Sequence, residues 1–279
     1  MIRGEKGMRI KYILAIIIAL LLSYSSFAHA GEIIKGHVTT SDNIPISYDH
    51  YKNGFDTVII VCPGYYNSKE NRWMEKTAEI LSSEHDTIVF DFRGHGESGG
   101  EFTWAALEHR DVNAIIDYAK SEGYKKIGIL GYSLGGSATI NAVSGREEDV
   151  DAMVLISAPK DFKDVEFHFW ELGVFDDFFD NIFSGWDGKG AKTTDKFKPE
   201  TTPIEEIKKI KNTPKLFIHG EDDWVVKPHH SEELFNAANE PKKLVIIKIS
   251  GHAEMLINKR PEEMKELLLG WFGDNLKNN

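Results

Sequence analysis

Residues 131–136 read Gly131-Tyr132-Ser133-Leu134-Gly135-Gly136, a G-x-S-x-G serine set between an apolar run (Ile127, Ile129, Leu130) and a run of small residues (Ser137, Ala138, Thr139). A strand that turns abruptly into a helix forces the central serine into a strained backbone. Small neighbours are then needed two positions away, and the hydroxyl is pushed out at the top of the sheet. A serine hydroxyl becomes a nucleophile when an imidazole takes its proton and a carboxylate orients that imidazole. The chain supplies such groups downstream in His219-Gly220-Glu221-Asp222-Asp223-Trp224-Val225-Val226 and in Ser250-Gly251-His252-Ala253-Glu254. His229 and His230 follow Pro228 at an expected helix start, where polar side chains serve caps and solvent, so His252 is the expected general base. The residues alone leave Glu221, Asp222, Asp223 and the remoter Asp161 open as the acid.

Strand-like runs at 32–40, 44–51, 57–62, 87–91, 126–130, 152–157, 215–219 and 243–249 alternate, from the third onward, with helical segments at 69–83, 104–121, 134–145, 230–239 and 261–272. The later strands are unbroken apolar runs, as expected when helices cover both sheet faces. The expected fold class is therefore α/β, a doubly wound, mostly parallel eight-stranded sheet opened by an antiparallel pair. Ligands of such sheets bind beyond the carboxyl ends of the strands, and each segment above lies there.

Taken together, Pro63-Gly64-Tyr65 after the third strand, Asp91-Phe92-Arg93-Gly94-His95-Gly96-Glu97-Ser98 after the fourth, the serine turn, the acidic turn and the Ser250-Gly251-His252 turn resemble the α/β-hydrolase superfamily. Within it they resemble the serine-hydrolase branch of monoglyceride-lipase-like esterases and serine aminopeptidases, over residues 31–279 apart from about 160–203. The resemblance implies Ser133 as nucleophile, His252 as base and, by a G-x-x-D-x-x-V pattern (Gly220, Asp223, Val226), Asp223 as the orienting acid. It also implies an oxyanion hole from the backbone N–H groups of Tyr65 and Leu134. Arg93 and His95 are read as braces of the loops around the site.

The segment 160–203 resembles the cap that these proteins insert after the sixth strand. It carries Phe162, Phe167, Phe169, Trp170, Phe175, Phe178, Phe179, Phe183 and Trp186, too many large rings within 25 residues for all to face water. Tyr66, Phe169, Trp170, Phe178, Phe179 and Trp224 are the candidate substrate-pocket residues. The tract Gly185–Thr194 is expected to be a mobile loop. Trp73 and Trp104 are read as packing residues.

The first 30 residues carry Arg3, Lys6, Arg9 and Lys11 ahead of an apolar run from Ile13 to Leu22, closed by Ala28-His29-Ala30. That is the pattern of a secretory signal peptide, with an apolar run too short to span a bilayer. The expectation is an exported chain, periplasmic or extracellular, with no stable membrane anchor after cleavage and one domain over 31–279. Without those residues the basic and acidic counts fall from 33 and 44 to 29 and 43, a formal charge of −14. Such a surface repels polyanions, which excludes nucleic acid as an expected main partner. The single Cys62 cannot form an intrachain disulfide. No metal-ligand spacing and no dinucleotide fingerprint occurs, so no cofactor is expected. The expected partner is a small-molecule ester, cleaved through an acyl-enzyme on Ser133; the alternatives are a thioester, lactone or short peptide as substrate of the same chemistry, and a catalytically silent binding protein of this fold.

Overall fold

The computed structural model of the chain describes residues 31–165, 190–248 and 251–277. Eight strands form one sheet: β1 (Glu32–Thr39), β2 (Pro45–Lys52), β3 (Thr57–Cys62), β4 (Asp86–Phe90), β5 (Lys126–Tyr132), β6 (Ala152–Ile156), β7 (Lys215–Gly220) and β8 (Lys242–Ile247). They lie in the order β1-β2-β4-β3-β5-β6-β7-β8. β2 pairs antiparallel with β4, and every neighbouring pair from β4 to β8 is parallel. The turn joining β1 to β2 is closed by the Thr40 N–H donating to Ile44 O, too short a connection for anything but antiparallel strands. The expected doubly wound sheet with an antiparallel opening is therefore present.

Among the described residues, six helices of five or more residues flank this sheet: α1 (Arg72–Leu81), α2 (His109–Ser121), α3 (Leu134–Val143), α4 (His229–Ala237), α5 (Met255–Lys259) and α6 (Pro261–Asn275). Because successive strand residues point to opposite faces, each central strand feeds two cores. Val58, Ile60 and Cys62 join Ile129, Met153, Leu155 and Phe217 on the face covered by α2, α3 and α4. Ile59 and Val61 join Leu130, Val154, Leu216 and Ile218 under α1, α5 and α6. This two-sided burial is why the strands are continuous apolar runs.

One expected helix is shorter than its apolar pattern suggested. The segment expected at 104–121 is helical only from His109, and Trp104 and Ala105 take φ of 56° and 67°. The cause is local: the buried Glu108 carboxylate accepts the Thr103 N–H at 2.7 Å and its hydroxyl at 2.9 Å, while Thr103 Oγ1 accepts the Leu107 N–H, closing a turn in place of a helix. Of the expected cap, Phe162–Asp164 form one 3₁₀ turn and Pro203–Glu206 one helical turn behind a Thr202–Glu205 capping box. Residues 166–189 lie outside the described residues. Lys192–Thr194, within the tract expected to be mobile, are held by backbone bonds from Lys192 N–H to Gly94 O, Phe102 N–H to Lys192 O and Thr194 N–H to Phe102 O. Among the described residues no helix is long and apolar enough to cross a membrane.

Phe272 of α6 is fully buried and lies over Gly128 of β5, so closely that a Cβ there would sit 2.7 Å from its ring. Phe272→Ala leaves a cavity under the sheet and is expected to cost about 3–5 kcal/mol in urea unfolding without changing the slope. A loss below about 1 kcal/mol would show that this face of the sheet does not depend on α6 as described.

Candidate active site

In the strand order, the chain leaves β3 toward β4 on one side and returns to β5 on the other. The crevice between the carboxyl ends of β3 and β5 is thus the switch point of the sheet, where ligands of this architecture bind. Cys62 pairs with Gly131 in register, so the loop after β3 and the turn after β5 emerge side by side.

Ser133 follows β5 with φ 46° and ψ −115°, a region non-glycine residues avoid at a cost of about 1–3 kcal/mol. Its N–H donates to Ile156 O at 2.8 Å, and its carbonyl accepts the N–H groups of Gly136 and Ser137 at the start of α3. The conformation depends on missing side chains. A Cβ on Gly135 would lie 2.2 Å from Cys62 O and 2.4 Å from Pro63 O, and one on Gly131 would lie 2.6 Å from Gly136 Cα.

From the other side of β6, the turns after β7 and β8 deliver Asp223 and His252. His252 Nε2 lies 3.0 Å from Ser133 Oγ and its Nδ1 lies 2.8 Å from Asp223 Oδ2. Because a carboxylate can only accept, the neutral ring carries its proton on Nδ1 and turns the Nε2 lone pair toward the serine hydroxyl. Asp223 is fully buried, and its Oδ1 accepts the N–H groups of Val225 at 3.0 Å and Val226 at 2.9 Å. Burial alone would raise its pKa; the facing His252, with hydrogen bonds from His219 and His252, outweighs burial and holds the carboxyl below the usual carboxylate range. Of the acids left open by the sequence, Asp223 is the one bonded to His252. Asp161 instead accepts the Lys163 N–H in the first turn past β6.

Two residues to which the sequence assigned no role complete the surroundings. His219 at the end of β7 is buried; its Nε2 lies 2.6 Å from Val226 O and 3.3 Å from Asp223 Oδ2, and its Nδ1 lies 2.6 Å from Ser231 Oγ. A carbonyl can only accept, so Nε2 carries a proton and leans the same N–H toward Asp223. Glu254, two residues past His252, accepts the Gly64 N–H at 3.0 Å and the Asn67 side-chain amide at 2.8 Å. Neither contact leaves a trace in spacing, since the partners of Glu254 lie 190 and 187 positions away.

The loop after β4 braces the site, as its composition led us to expect. Arg93 forms a two-pronged pair with the buried Asp111 and reaches Asp42, and Asp91 accepts the N–H groups of Lys69 and Glu97. His95 faces Arg93 O through Nδ1 and accepts the Tyr66 N–H at Nε2, and burial pushes its pKa down, which suits a neutral ring in that double role. Among the described residues the N–H groups of Tyr65 and Leu134 have no hydrogen-bond partner. Burial pushes the pKa of the Cys62 thiol, at the end of β3, up to about 12, so it stays protonated and unreactive.

An aromatic wall stands next to Leu134. The Tyr65 ring lies 5.2 Å from those of Phe102 and Trp104, Trp104 lies 5.8 Å from Phe162, and Leu134 and Ala105 share the cluster. Phe102 was not singled out by the sequence, and Trp104, read there as packing, sits within this wall. Tyr66 is exposed beside Tyr65, and Trp224 is half-buried in the turn of Asp223. Phe169, Trp170, Phe178 and Phe179 lie outside the described residues.

Comparison with known proteins agrees with this architecture. Residues 57–185 match the family model for the alpha/beta hydrolase fold. The chain is 26% identical over 230 residues to the uncharacterized protein YqkD of Bacillus subtilis, covering 75% of this chain and 72% of that protein. It is 26% identical over 210 residues to the lysophosphatidylserine lipase ABHD12 of Xenopus tropicalis, covering 70% of this chain and about half (52%) of the lipase. Among solved structures, the Pyrococcus furiosus esterase Pf2001 superposes with a TM-score of 0.71 at 24% identity, covering 88% of this chain and 94% of the esterase.

Because the elbow has no space for a side chain, Gly135→Ala is expected to push Ser133 out of line with His252. The expected result is a melting temperature lowered by several degrees together with loss of reactivity toward a fluorophosphonate probe; unchanged values of both would contradict the close approach described.

Proposed function

Starting from a chain that has the α/β-hydrolase fold, we propose that it is a serine hydrolase that cleaves carboxylic esters through an acyl-enzyme on Ser133. The observation that carries this reading is the hydrogen-bonded line from Ser133 Oγ through His252 to the buried Asp223, at the switch point of the sheet and with the serine in a strained turn. In the proposed reaction Ser133 Oγ attacks the ester carbonyl while His252 Nε2 takes its proton. Asp223, held ionised, stabilises the imidazolium that forms. The tetrahedral oxyanion is received by the N–H groups of Tyr65 and Leu134, which among the described residues have no partner to give up. Collapse expels the alcohol, protonated by His252, and a water activated by the same nitrogen releases the acid and restores the serine.

For the substrate, a wall of Tyr65, Phe102, Trp104 and Phe162 beside Leu134 supports an uncharged ester with an apolar acyl or aryl group. We assign Tyr66, Trp224 and the cap rings Phe169, Trp170, Phe178 and Phe179 to the same pocket. An esterase and a lysophosphatidylserine lipase among the similar proteins support the ester class. The basic and apolar pattern of residues 1–30 supports export.

The test is labelling with a fluorophosphonate probe, wild type beside Ser133→Ala, followed by p-nitrophenyl esters of increasing chain length. Labelling that disappears in Ser133→Ala is expected; a folded wild type that neither reacts nor turns over any ester would refute the reading. In Asp223→Asn the Val225 and Val226 N–H groups keep the amide oxygen at the Oδ1 position, so an NH₂ donor replaces Oδ2 opposite His252 Nδ1 and favours the wrong tautomer, which is expected to lower kcat by about 10³- to 10⁴-fold. Phe102→Ala and Trp104→Ala are expected to raise KM several-fold for long or aromatic esters and to leave acetate esters nearly unchanged, and equal losses on both would remove these rings from the pocket.

A further inference from the structure

Three consecutive N–H groups in the loop after β3 have three different fates. Gly64 donates to Glu254 Oε1 at 3.0 Å and Tyr66 donates to His95 Nε2 at 3.2 Å. The Tyr65 N–H between them has no partner among the described residues. Both flanking acceptors are buried side chains from different parts of the sheet edge, Glu254 being 7% and His95 2% exposed. Glu254 Oε1 also accepts the Asn67 amide at 2.8 Å, so a single oxygen spans a turn whose own bond, Asn67 N–H to Gly64 O, is a long 3.3 Å.

Glu254 is itself rigidly mounted. Ala253, between it and His252, has φ 44°, and its N–H donates at 3.1 Å to the hydroxyl of Ser157, which has φ 51°. The segment that carries the base therefore also clamps the loop after β3. Gly64 is wedged in this clamp: a Cβ there would sit 2.6 Å from Glu254 Oε1 and 3.5 Å from Ser133 Cβ.

We propose that Glu254 is a positioning residue: with His95 it fixes Gly64, Tyr65 and Tyr66 so that the Tyr65 N–H stays uncommitted and aimed at the substrate oxygen. This role rests on the acyl-transfer reading above. A preorganised donor stabilises a developing oxyanion far more than one that must be recruited from solvent, and loss of one such donor typically costs about 10²–10³-fold in kcat. What the contact requires is an oxygen at the right reach, since two N–H donors converge on one atom. Glutamine preserves that oxygen, whereas aspartate keeps the charge and withdraws the oxygen by about 1.5 Å, one carbon–carbon bond.

The experiment compares wild type with Glu254→Gln, Glu254→Asp and Glu254→Ala. Its readouts are kcat and KM for p-nitrophenyl acetate across pH, the inhibition constant of a trifluoromethyl ketone that adds to serine as an oxyanion, and thermal melting. Glu254→Gln is expected to stay within about threefold of wild type with an unshifted pH profile. Glu254→Asp and Glu254→Ala are expected to lose tenfold or more in kcat and a similar factor in ketone affinity, with KM changed by less than about twofold. If Glu254→Ala does not fold, the aspartate and glutamine variants decide. An active aspartate variant beside an impaired glutamine variant with a shifted pH profile would overturn the proposal in favour of a charge effect; kcat retained in all three would overturn it outright. A wild type inert toward both the ester and the ketone would instead refute the hydrolase reading, and this role with it.

Discussion

The structure around the site depends on how closely two backbones pass at the ends of β3 and β5. The start of α3 runs so near the carbonyls of Cys62 and Pro63 that only hydrogen fits on Gly135. That approach places the turn of Ser133 against the loop of Gly64, so the serine and the N–H groups of Tyr65 and Leu134, uncommitted among the described residues, share one crevice. The strained φ of Ser133 persists because its N–H and carbonyl are both bonded on either side of the turn, to Ile156 and to the first turn of α3. Strain of this kind, overdetermined by its surroundings, is what keeps a hydroxyl exposed above a buried sheet.

Around that crevice, polar groups are buried in sets that satisfy one another. Asp223 takes two backbone N–H groups and two imidazoles, Arg93 takes Asp111 and Asp42, and His95 and Glu254 each take a backbone N–H of the loop after β3. An unmatched charge in such a place would cost several kcal/mol, so each set fixes geometry as well as stability. The loops at the carboxyl edge are therefore tied to one another as well as to their own strands. The segment that carries His252 and Glu254 holds the loop after β3, and the loop after β4 holds it from the opposite side.

Much of this was legible in the chain because it rests on local rules. Apolar runs without alternation announce strands covered on both faces, and the glycines around Ser133 announce the strand-to-helix elbow. The order serine, acid, histidine follows from which strands end where. The choice of Asp223 over Asp222 and Glu221 came from resemblance to a family pattern, and the bond to His252 supplies its geometry. What stayed hidden depends on contacts between distant segments. Nothing near Glu254 hints at Gly64, and nothing near Trp104 hints that Glu108 would capture Thr103 and postpone α2 by five residues from the expected start at 104. The aromatic wall was likewise invisible, because Tyr65, Phe102, Trp104 and Phe162 meet only once the loops after β3, β4 and β6 converge.

The central claim is that Ser133 forms a covalent acyl intermediate, and the most direct measurement is acid quenching during turnover of a p-nitrophenyl ester followed by peptide mass spectrometry. The account predicts an acyl group on the peptide containing Ser133, in an amount matching a p-nitrophenol burst. Ester turnover with no acylated peptide, or with the acyl group on another residue, would contradict it.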